Sequence, residues 1–146
     1  MTNTILIGQL AKASSCKVQT IRYYEQIGLL PKPLRSAGNQ RVYLPDHLDR
    51  LVFIRHCRAL GFSLDQIRKL LHLAGDSKKS CSEVDEIAQV HLVEVEEKIK
   101  NLEGLRKELK RIINGCKVDR VDQCKILKAL GDHGQCLAKE HGVEEV

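Results

Sequence analysis

The chain has 146 residues, of which 42% are hydrophobic but only 3% aromatic, and it contains no Trp. This length excludes two large independent cores, and the composition predicts a core of Leu, Ile and Val carried by amphipathic helices. No signal-peptide pattern begins the chain and no run approaches about 18 apolar residues, so we expect a cytoplasmic protein without membrane contact.

The net charge of +5 is unevenly distributed along the chain. Residues 1–75 carry 11 Lys and Arg against 4 Asp and Glu, whereas residues 76–146 carry 13 against 15. The first half therefore has a net charge of +7 and the second half −2. This asymmetry predicts that the first half contacts phosphate, and dimerisation would double its charge.

The first elements predict a helix-turn-helix followed by a wing. Helical spacing over residues 7–12 is interrupted at residues 14–16 and resumes over residues 18–25. Two short helices joined by a tight turn are typical of that motif, and Gly28 is expected to end the second helix. Residues 29–43 contain Pro31, Pro33, Gly38 and Asn39 before Arg-Val-Tyr, which indicates a small hairpin or wing.

Two further helices complete a DNA-binding domain predicted over residues 1–75. Pro45 and Asp46 begin one helix, which Gly61 ends. Ser63 is a plausible N-cap for the next, which runs through Leu73. Its leucines and isoleucine fall on one face, as expected of a helix packed on a core.

A long helix follows, expected to begin after a cap at Ser82 and to end at Asn114-Gly115. Its apolar residues are spaced by three and four along a narrow seam: Leu92, Val95, Ile99, Leu102, Leu109 and Ile113. Such a seam with charged flanks is typical of a coiled coil, although a lone helix folded back on the first domain is an alternative. We predict a linker and dimerisation helix over residues 76–113.

The remaining chain is predicted to hold a metal-binding loop and short helix over residues 114–131, then a flexible tail over residues 132–146. The fold class is mainly all-α: a winged helix-turn-helix domain, a long antiparallel coiled-coil dimerisation helix and a C-terminal metal-binding loop.

Several ordered motifs strongly resemble the MerR family of transcription regulators over about residues 5–130. They are Ile7-Gly-Gln-Leu-Ala-Lys, Thr20-Ile-Arg-Tyr-Tyr-Glu, Gly28-Leu-Leu, Arg35-Ser, Arg41-Val-Tyr and Phe53-Ile-Arg-His-Cys-Arg-Ala-Leu-Gly-Phe-Ser-Leu. Because of Cys81, Cys116 and Cys124, the chain looks like the branch that responds to cadmium, lead and zinc.

The resemblance implies a homodimer bound to double-stranded promoter DNA. In that family the dimer represses a badly spaced promoter and, on binding metal, bends and untwists the DNA so that RNA polymerase can start transcription. Arginine can contact phosphate or guanine through two N–H groups, and a tyrosine hydroxyl can reach phosphate. The DNA-contacting residues would be Thr20, Arg22 and Tyr23 in the recognition helix, Arg35, Arg41 and Tyr43 in the wing, and Arg55 and Arg58 near the backbone.

Three cysteines are candidate metal ligands. Cys81 and Cys116 flank a helix of roughly 32 residues, or nearly 50 Å, so one chain cannot bring them together. In an antiparallel pair, Cys81 would meet Cys116 and Cys124 of the partner subunit, and the resembling regulators are built this way. The alternative is that these cysteines are small buried hydrophobic residues.

The remaining cysteines and three of the histidines are less favoured as metal ligands. Cys16 and Cys57 are interpreted as packing residues. Cys136, His133 and His141 could form a second metal cluster, but a mobile tail is preferred. His91 is interpreted as a partly buried structural residue.

The ligand set favours a divalent soft cation. Three thiolates supply more negative charge than a monovalent ion needs, and they do not suit Mg²⁺ or Ca²⁺. The order of preference is Cd²⁺, Pb²⁺ or Zn²⁺, then Hg²⁺, and last Cu⁺. The spacing from Cys116 to Cys124 is that of copper- and silver-sensing relatives, but those carry Ser at the position of Cys81.

Other functions remain open. A copper- or silver-responsive regulator of the same fold is one, and a redox-sensing regulator is another, although four clustered cysteines are missing. A thiol metal-buffering protein without a DNA role would leave the basic half unexplained. No Cys-x-x-Cys, phosphate loop or catalytic triad pattern indicates an enzyme.

Overall fold

The computed structural model describes residues 3–115, 120–121 and 124–131. The chain divides into two compact units, residues 1–87 and residues 88–146. Among the described helices, none combines the length and the apolar character needed to cross a membrane. The mainly helical fold class is confirmed, whereas the predicted domain boundaries stay a prediction.

The first unit contains the predicted pair of short helices, α1 (Ile7–Ser14) and α2 (Val18–Gln26). Ser15 has a left-handed backbone with φ 55°, and the Cys16 N–H donates to the carbonyl of Ala11 at 3.1 Å. These contacts end α1 and turn the chain within three residues, so the helix-turn-helix prediction is confirmed.

A three-stranded antiparallel sheet forms the wing, in the order β1-β3-β2. The predicted hairpin is β2 (Leu34–Arg35) and β3 (Arg41–Tyr43), with Arg35 paired to Arg41. The sequence did not predict β1 (Ile5–Leu6), which pairs with β3. Two residues are too few to show an alternating pattern.

Two longer helices follow the wing and contribute to the same core, α3 (Pro45–Ala59) and α4 (Leu64–Ala74). Gly61 between them has φ 86°, a conformation that favours glycine. Ser63 is the predicted N-cap: its Oγ accepts from the Gln66 N–H at 3.2 Å, and Gln66 Oε1 accepts from the Ser63 N–H at 2.9 Å. Both helix predictions are confirmed.

The core of this unit is largely aliphatic, as the composition predicts, but it also contains two of the three tyrosines. Its fully buried side chains come from α1 to α4, from β3 and from the segment that follows α2: Leu10, Ile21, Leu29, Leu30, Tyr43, Leu51, Ile54 and Ile67. Val84 and Ile87, from the following helix, pack against the same cluster. The start of that helix therefore belongs to the first unit.

The long helix α5 (Ser82–Gly115) has 34 residues, or about 50 Å of continuous helix. The carbonyl of Cys81 accepts from the Asp85 N–H at 3.0 Å, so the first helical hydrogen bond starts at Cys81 and not at the predicted cap Ser82. In the second unit, His91, Glu108 and Ile112 are buried. A short helix, α6 (Lys125–Gly131), is present where predicted.

The predicted seam of α5 is exposed to solvent in the single chain. Five of its six apolar side chains are about half exposed or more: Leu92, Ile99, Leu102, Leu109 and Ile113. The remaining one, Val95, is half-buried. The proposed pairing of two such helices stays a prediction.

Candidate DNA-binding surface and candidate metal centre

The surface formed by α2 and the wing carries most of the predicted DNA-contacting residues. Arg22 is exposed, Tyr23 is 48% exposed and Thr20 is half-buried on α2. Across from them, Arg35 is exposed and Arg41 half-buried. Because β2 and β3 are paired at Arg35 and Arg41, their two charges lie side by side.

The tip of the wing is held by hydrogen bonds. Arg35 Nη1 donates to the carbonyl of Asn39 at 3.0 Å, and the Ser36 N–H donates to the carbonyl of Gln40 at 2.9 Å. Asn39 has φ 61°, which the tight turn requires and which Asn tolerates. The wing is thus a preformed turn that holds its arginines near α2.

A cleft of about 500 Å³ separates α2 from the wing. Four cations and one carboxylate line it: Arg22, Lys32, Arg35, Arg41 and Glu25. This local excess of positive charge suits a phosphate backbone, because guanidinium groups bind phosphate oxygens through two parallel hydrogen bonds. Lys32 was missed by the sequence analysis, since an exposed lysine between two prolines carries no pattern.

Tyr43 requires a correction. Its side chain is fully buried, and its hydroxyl donates to Glu25 Oε1 at 2.5 Å. Burial, followed by the hydrogen bond and charge of Glu25, raises the pKa of Tyr43 above its ordinary value of 10.0. The hydroxyl therefore faces α2 inside the unit, and we assign Tyr43 to holding the wing on α2 instead of contacting DNA.

Arg55 and Arg58 are both exposed on α3. Arg58 Nη1 donates to the carbonyl of Phe62 at 3.0 Å, and Arg58 lines a small cleft together with Thr20 and Tyr23. Arg58 is thus adjacent to the α2 surface, whereas Arg55 does not line that cleft.

Two arginines that no sequence pattern indicated bind backbone carbonyls in the segment that follows α2. Arg50 of α3 donates from Nε to the carbonyl of Leu29, and Arg68 of α4 donates from Nη2 to the carbonyl of Ile27, both at 2.9 Å. No pattern in a single sequence shows which carbonyl an arginine will bind.

The two candidate metal ligands among the described residues lie directly before α5 and α6. Cys81 is exposed directly before α5, and Cys124 is half-buried directly before α6. Cys116 lies outside the described residues. Within the described part of this single chain, no three His, Cys, Asp or Glu residues are grouped as a metal site.

The cysteines are in phase with the seam of α5. A position recurs every seven residues along the sequence: Cys81, Ala88, Val95, Leu102, Leu109 and Cys116. A seven-residue repeat keeps one face of each helix towards its partner in a coiled coil. Cys81 and Cys116 therefore occupy the same heptad position as the leucines expected at the interface.

Two further cysteines and His91 are buried or partly buried in the protein. Cys57 is buried, which raises its pKa, and Cys16 packs against the same core, in agreement with the packing interpretation. His91 is buried as expected, with its Nδ1 3.5 Å from Glu94 Oε2. The proposed second cluster of His133, Cys136 and His141 lies outside the described residues.

Comparison with known protein families gives two matches that together span most of the chain. The family described as "MerR HTH family regulatory protein" matches residues 5–73, which include α1, α2 and the wing. The family described as "MerR, DNA binding" matches residues 48–112, which include most of α3, α4 and α5.

Individual relatives are regulators of the same kind. A "ZntR homolog" transcriptional regulator from Haemophilus influenzae is 48% identical over 103 residues, covering 70% of this chain and 76% of that protein. The regulator CueR from Vibrio cholerae is 36% identical over 127 residues, covering 87% of this chain and 91% of that protein.

A solved structure is also similar over most of its length. The regulator PbrR691 from Ralstonia metallidurans CH34, in complex with lead(II), has a TM-score of 0.77 and 44% identity. The match covers 86% of this chain and 98% of that one.

Proposed function

Since the chain belongs to the MerR family of helix-turn-helix regulators, we propose that it is a transcription regulator and not an enzyme. It binds promoter DNA as a homodimer and activates metal-resistance genes when a divalent soft metal ion binds. The observation that carries the DNA part is the cleft between α2 and the wing, where four cations face one carboxylate.

DNA binding is assigned to the exposed surface around that cleft. Arg22, Arg35 and Arg41 also line an adjoining cleft with Gln9 and Asn39, so the cationic surface continues past the wing. Polar side chains next to arginines can bind phosphate or base edges. Thr20, Tyr23, Arg55 and Arg58 complete the proposed surface, from which Tyr43 is excluded by its burial.

Dimerisation is assigned to the seam of α5. Leu102 is 63% and Leu109 is 53% exposed in the single chain. A row of half-exposed leucine and isoleucine side chains from Leu92 to Ile113 of α5 favours a second copy of the chain as the partner that buries it.

Metal binding is assigned to Cys81, Cys116 and Cys124, shared between subunits. If α5 pairs antiparallel so that Cys81 faces Cys116 of the partner subunit, the same register pairs Val95 with Leu102 of the partner subunit. One register therefore satisfies both the apolar seam and the thiols. The exposed thiol of Cys81 is accessible to a partner's loop in the single chain.

The donor chemistry favours Cd²⁺, Pb²⁺ or Zn²⁺. Three thiolates suit a soft divalent cation, which adds positive charge between them and displaces their protons. The similarity to a ZntR homolog and to a regulator crystallised with lead(II) supports this choice. Hg²⁺ is less favoured.

A second candidate effector is Cu⁺. Similarity to CueR over 127 residues and the spacing from Cys116 to Cys124 favour it. The third thiol of Cys81 opposes it, because a monovalent ion is charge-matched by fewer thiolates.

Activation is assigned to a change in the DNA held by the dimer. Distorting a promoter costs a few kcal/mol, and the protein can meet this cost only if its two conformations bind metal with different affinity. Cys81 lies directly before α5, so a loop closed onto it can move the start of that helix. RNA polymerase would then use the distorted promoter.

The test combines a gel shift on the chain's own upstream DNA with a metal-responsive reporter. Cys81→Ser, Cys116→Ser and Cys124→Ser should each retain DNA binding and lose activation by Cd²⁺ or Pb²⁺. Competition titrations followed by thiolate-to-metal absorption identify the preferred ion. Absence of specific DNA binding by the unaltered protein would refute the proposed function, and full activation of Cys116→Ser would refute the shared site.

A further inference from the structure

The end of the recognition helix α2 is fixed in the core. Gly28 has φ 75°, and the N–H groups of Leu29 and Leu30 donate to the carbonyl of Tyr24 at 2.9 and 3.1 Å. Leu29 is 0% and Leu30 is 1% exposed. The segment of residues 27–30 therefore ties the end of α2 to the core.

Two guanidinium groups donate hydrogen bonds to backbone carbonyls of the segment of residues 27–30. Arg50 binds the carbonyl of Leu29, and Arg68 binds the carbonyl of Ile27. The carbonyl end of a helix carries partial negative charge, so a cation stabilises it there. Neither arginine lines the cleft between α2 and the wing.

Arg68 also lines a groove at the start of α5. The groove has a volume of about 490 Å³, with Leu73 on α4 and Ile87 on α5 among its lining residues. Glu83 and Glu86, on the first turns of α5, belong to the same groove. One side chain thus contacts the end of α2 and borders the helix that begins directly after Cys81.

The charges around this groove give Arg68 two possible sets of partners. Among the described side chains, no ion pair within 4.0 Å joins Arg68 to Glu83 or Glu86, so its guanidinium is engaged by Ile27. A guanidinium has five N–H donors and binds carboxylates strongly. If α5 shifts so that Glu83 or Glu86 comes closer, its carboxylate can bind the guanidinium of Arg68. The hydrogen bond from Arg68 to the carbonyl of Ile27 would then be either broken or held more firmly.

We propose that Arg68 is a positioning residue that couples movement at the start of α5 to the orientation of the recognition helix. This inference rests on the proposed function, because it needs a metal-dependent change in bound DNA. In this proposal Arg68 contacts the end of α2 through the carbonyl of Ile27 and faces α5 through Glu86 or Glu83.

The experiment measures distortion of the DNA, using Cd²⁺ as the metal and an upstream DNA duplex labelled at both ends. Energy transfer between the labels is recorded with saturating protein, before and after Cd²⁺ is added. In Arg68→Gln the Cd²⁺-dependent change should shrink about threefold or more, because one of the two conformations loses a charge-assisted hydrogen bond. Arg68→Lys should give an intermediate change, since its ammonium can donate to only part of this set.

Lys69→Gln is the matched control. Lys69 is the next residue on α4 and lines the same groove, so its substitution removes the same charge from the same place. Among the hydrogen bonds of the described residues, none joins Lys69 to α2. It should respond as the unaltered protein does. Glu86→Gln alters the other wall and should also reduce the change, which keeps the inference testable if Arg68→Gln folds poorly.

The outcomes separate the inference from the proposed function. A purely structural role of Arg68 would weaken DNA binding but leave the Cd²⁺-dependent change intact at saturation. That result, or an equal loss in Lys69→Gln, overturns the inference alone. If the unaltered protein binds the duplex and shows no Cd²⁺-dependent change, the proposed activation fails together with it.

Discussion

The contribution of the α5 seam to the free energy of dimerisation can be estimated from the exposed fractions of its leucine side chains. We expect the double variant Leu102→Lys, Leu109→Lys to dissociate the dimer. The two leucines are 63% and 53% exposed in the single chain. Burying a whole leucine side chain is worth about 1.5–3 kcal/mol, so burying the exposed half gives about 1–1.5 kcal/mol.

A dimer contains four such leucines, which gives about 4–6 kcal/mol in total. At 1.4 kcal/mol for each factor of ten, the dimer dissociation constant should rise about 10³- to 10⁴-fold. A dimer that dissociates at about 1 nM would then dissociate at about 1–10 µM. The introduced lysines make this a lower bound, since desolvating a charge at the interface adds a further cost.

Sedimentation velocity over a concentration series measures the effect, and circular dichroism checks that α5 remains helical. Val90→Lys is the control: Val90 is 56% exposed and two residues before Leu92, about 200° around the helix. It should remain a dimer. An unchanged dimer of the double variant at low micromolar concentration, or dissociation of Val90→Lys, would refute the assignment of this face.

Three further predictions concern the DNA surface, the metal ligands and the core. Arg22→Ala and Arg41→Ala should each weaken operator binding and lower the salt dependence of affinity by about one unit of slope, with metal stoichiometry unchanged in a parallel titration. In a reporter assay Cys136→Ser should still respond to metal, whereas Cys116→Ser should not; equal responses would contradict the proposed ligand set. Tyr43→Phe should lower the free energy of unfolding by about 1–2 kcal/mol at pH 7. Because folding raises the pKa of Tyr43 above 10.0, its contribution is present below pH 10 and decreases above it. Denaturant titrations should therefore show the difference between the two proteins shrinking at high pH, and a constant difference would contradict this reasoning.

The helices were predictable because their signals are local and repeated. Helical spacing, the cap at Ser63 and glycines at the helix ends each act within a few residues, and the structure follows them closely. The strand β1 has two residues and is defined only by its pairing with β3, which lies far along the chain. No local pattern could have shown it.

The face of a short strand could not be predicted either. In β3, Val42 is 9% and Tyr43 is 0% exposed, so neighbouring residues are both buried and the usual alternation fails. The family resemblance placed Tyr43 on the DNA surface, and no alternation within β3 reveals that it is buried with its hydroxyl bound to Glu25. The roles of Arg50 and Arg68 depend on tertiary contacts with two particular carbonyls, which a single sequence does not encode in any periodic form.

The heptad phase places the proposed dimer seam and two of the proposed metal ligands in one sequence feature. Cys81, Leu102, Leu109 and Cys116 share a position that recurs every seven residues. In the proposed antiparallel register, each contact along the seam also holds thiols of two chains near each other, which raises their effective concentration. Ions bound across the interface would in turn stabilise the dimer, because a ligand that binds only the associated form shifts the equilibrium towards it. The double variant at Leu102 and Leu109 should consequently lose metal affinity as the protein is diluted, although every cysteine remains in place.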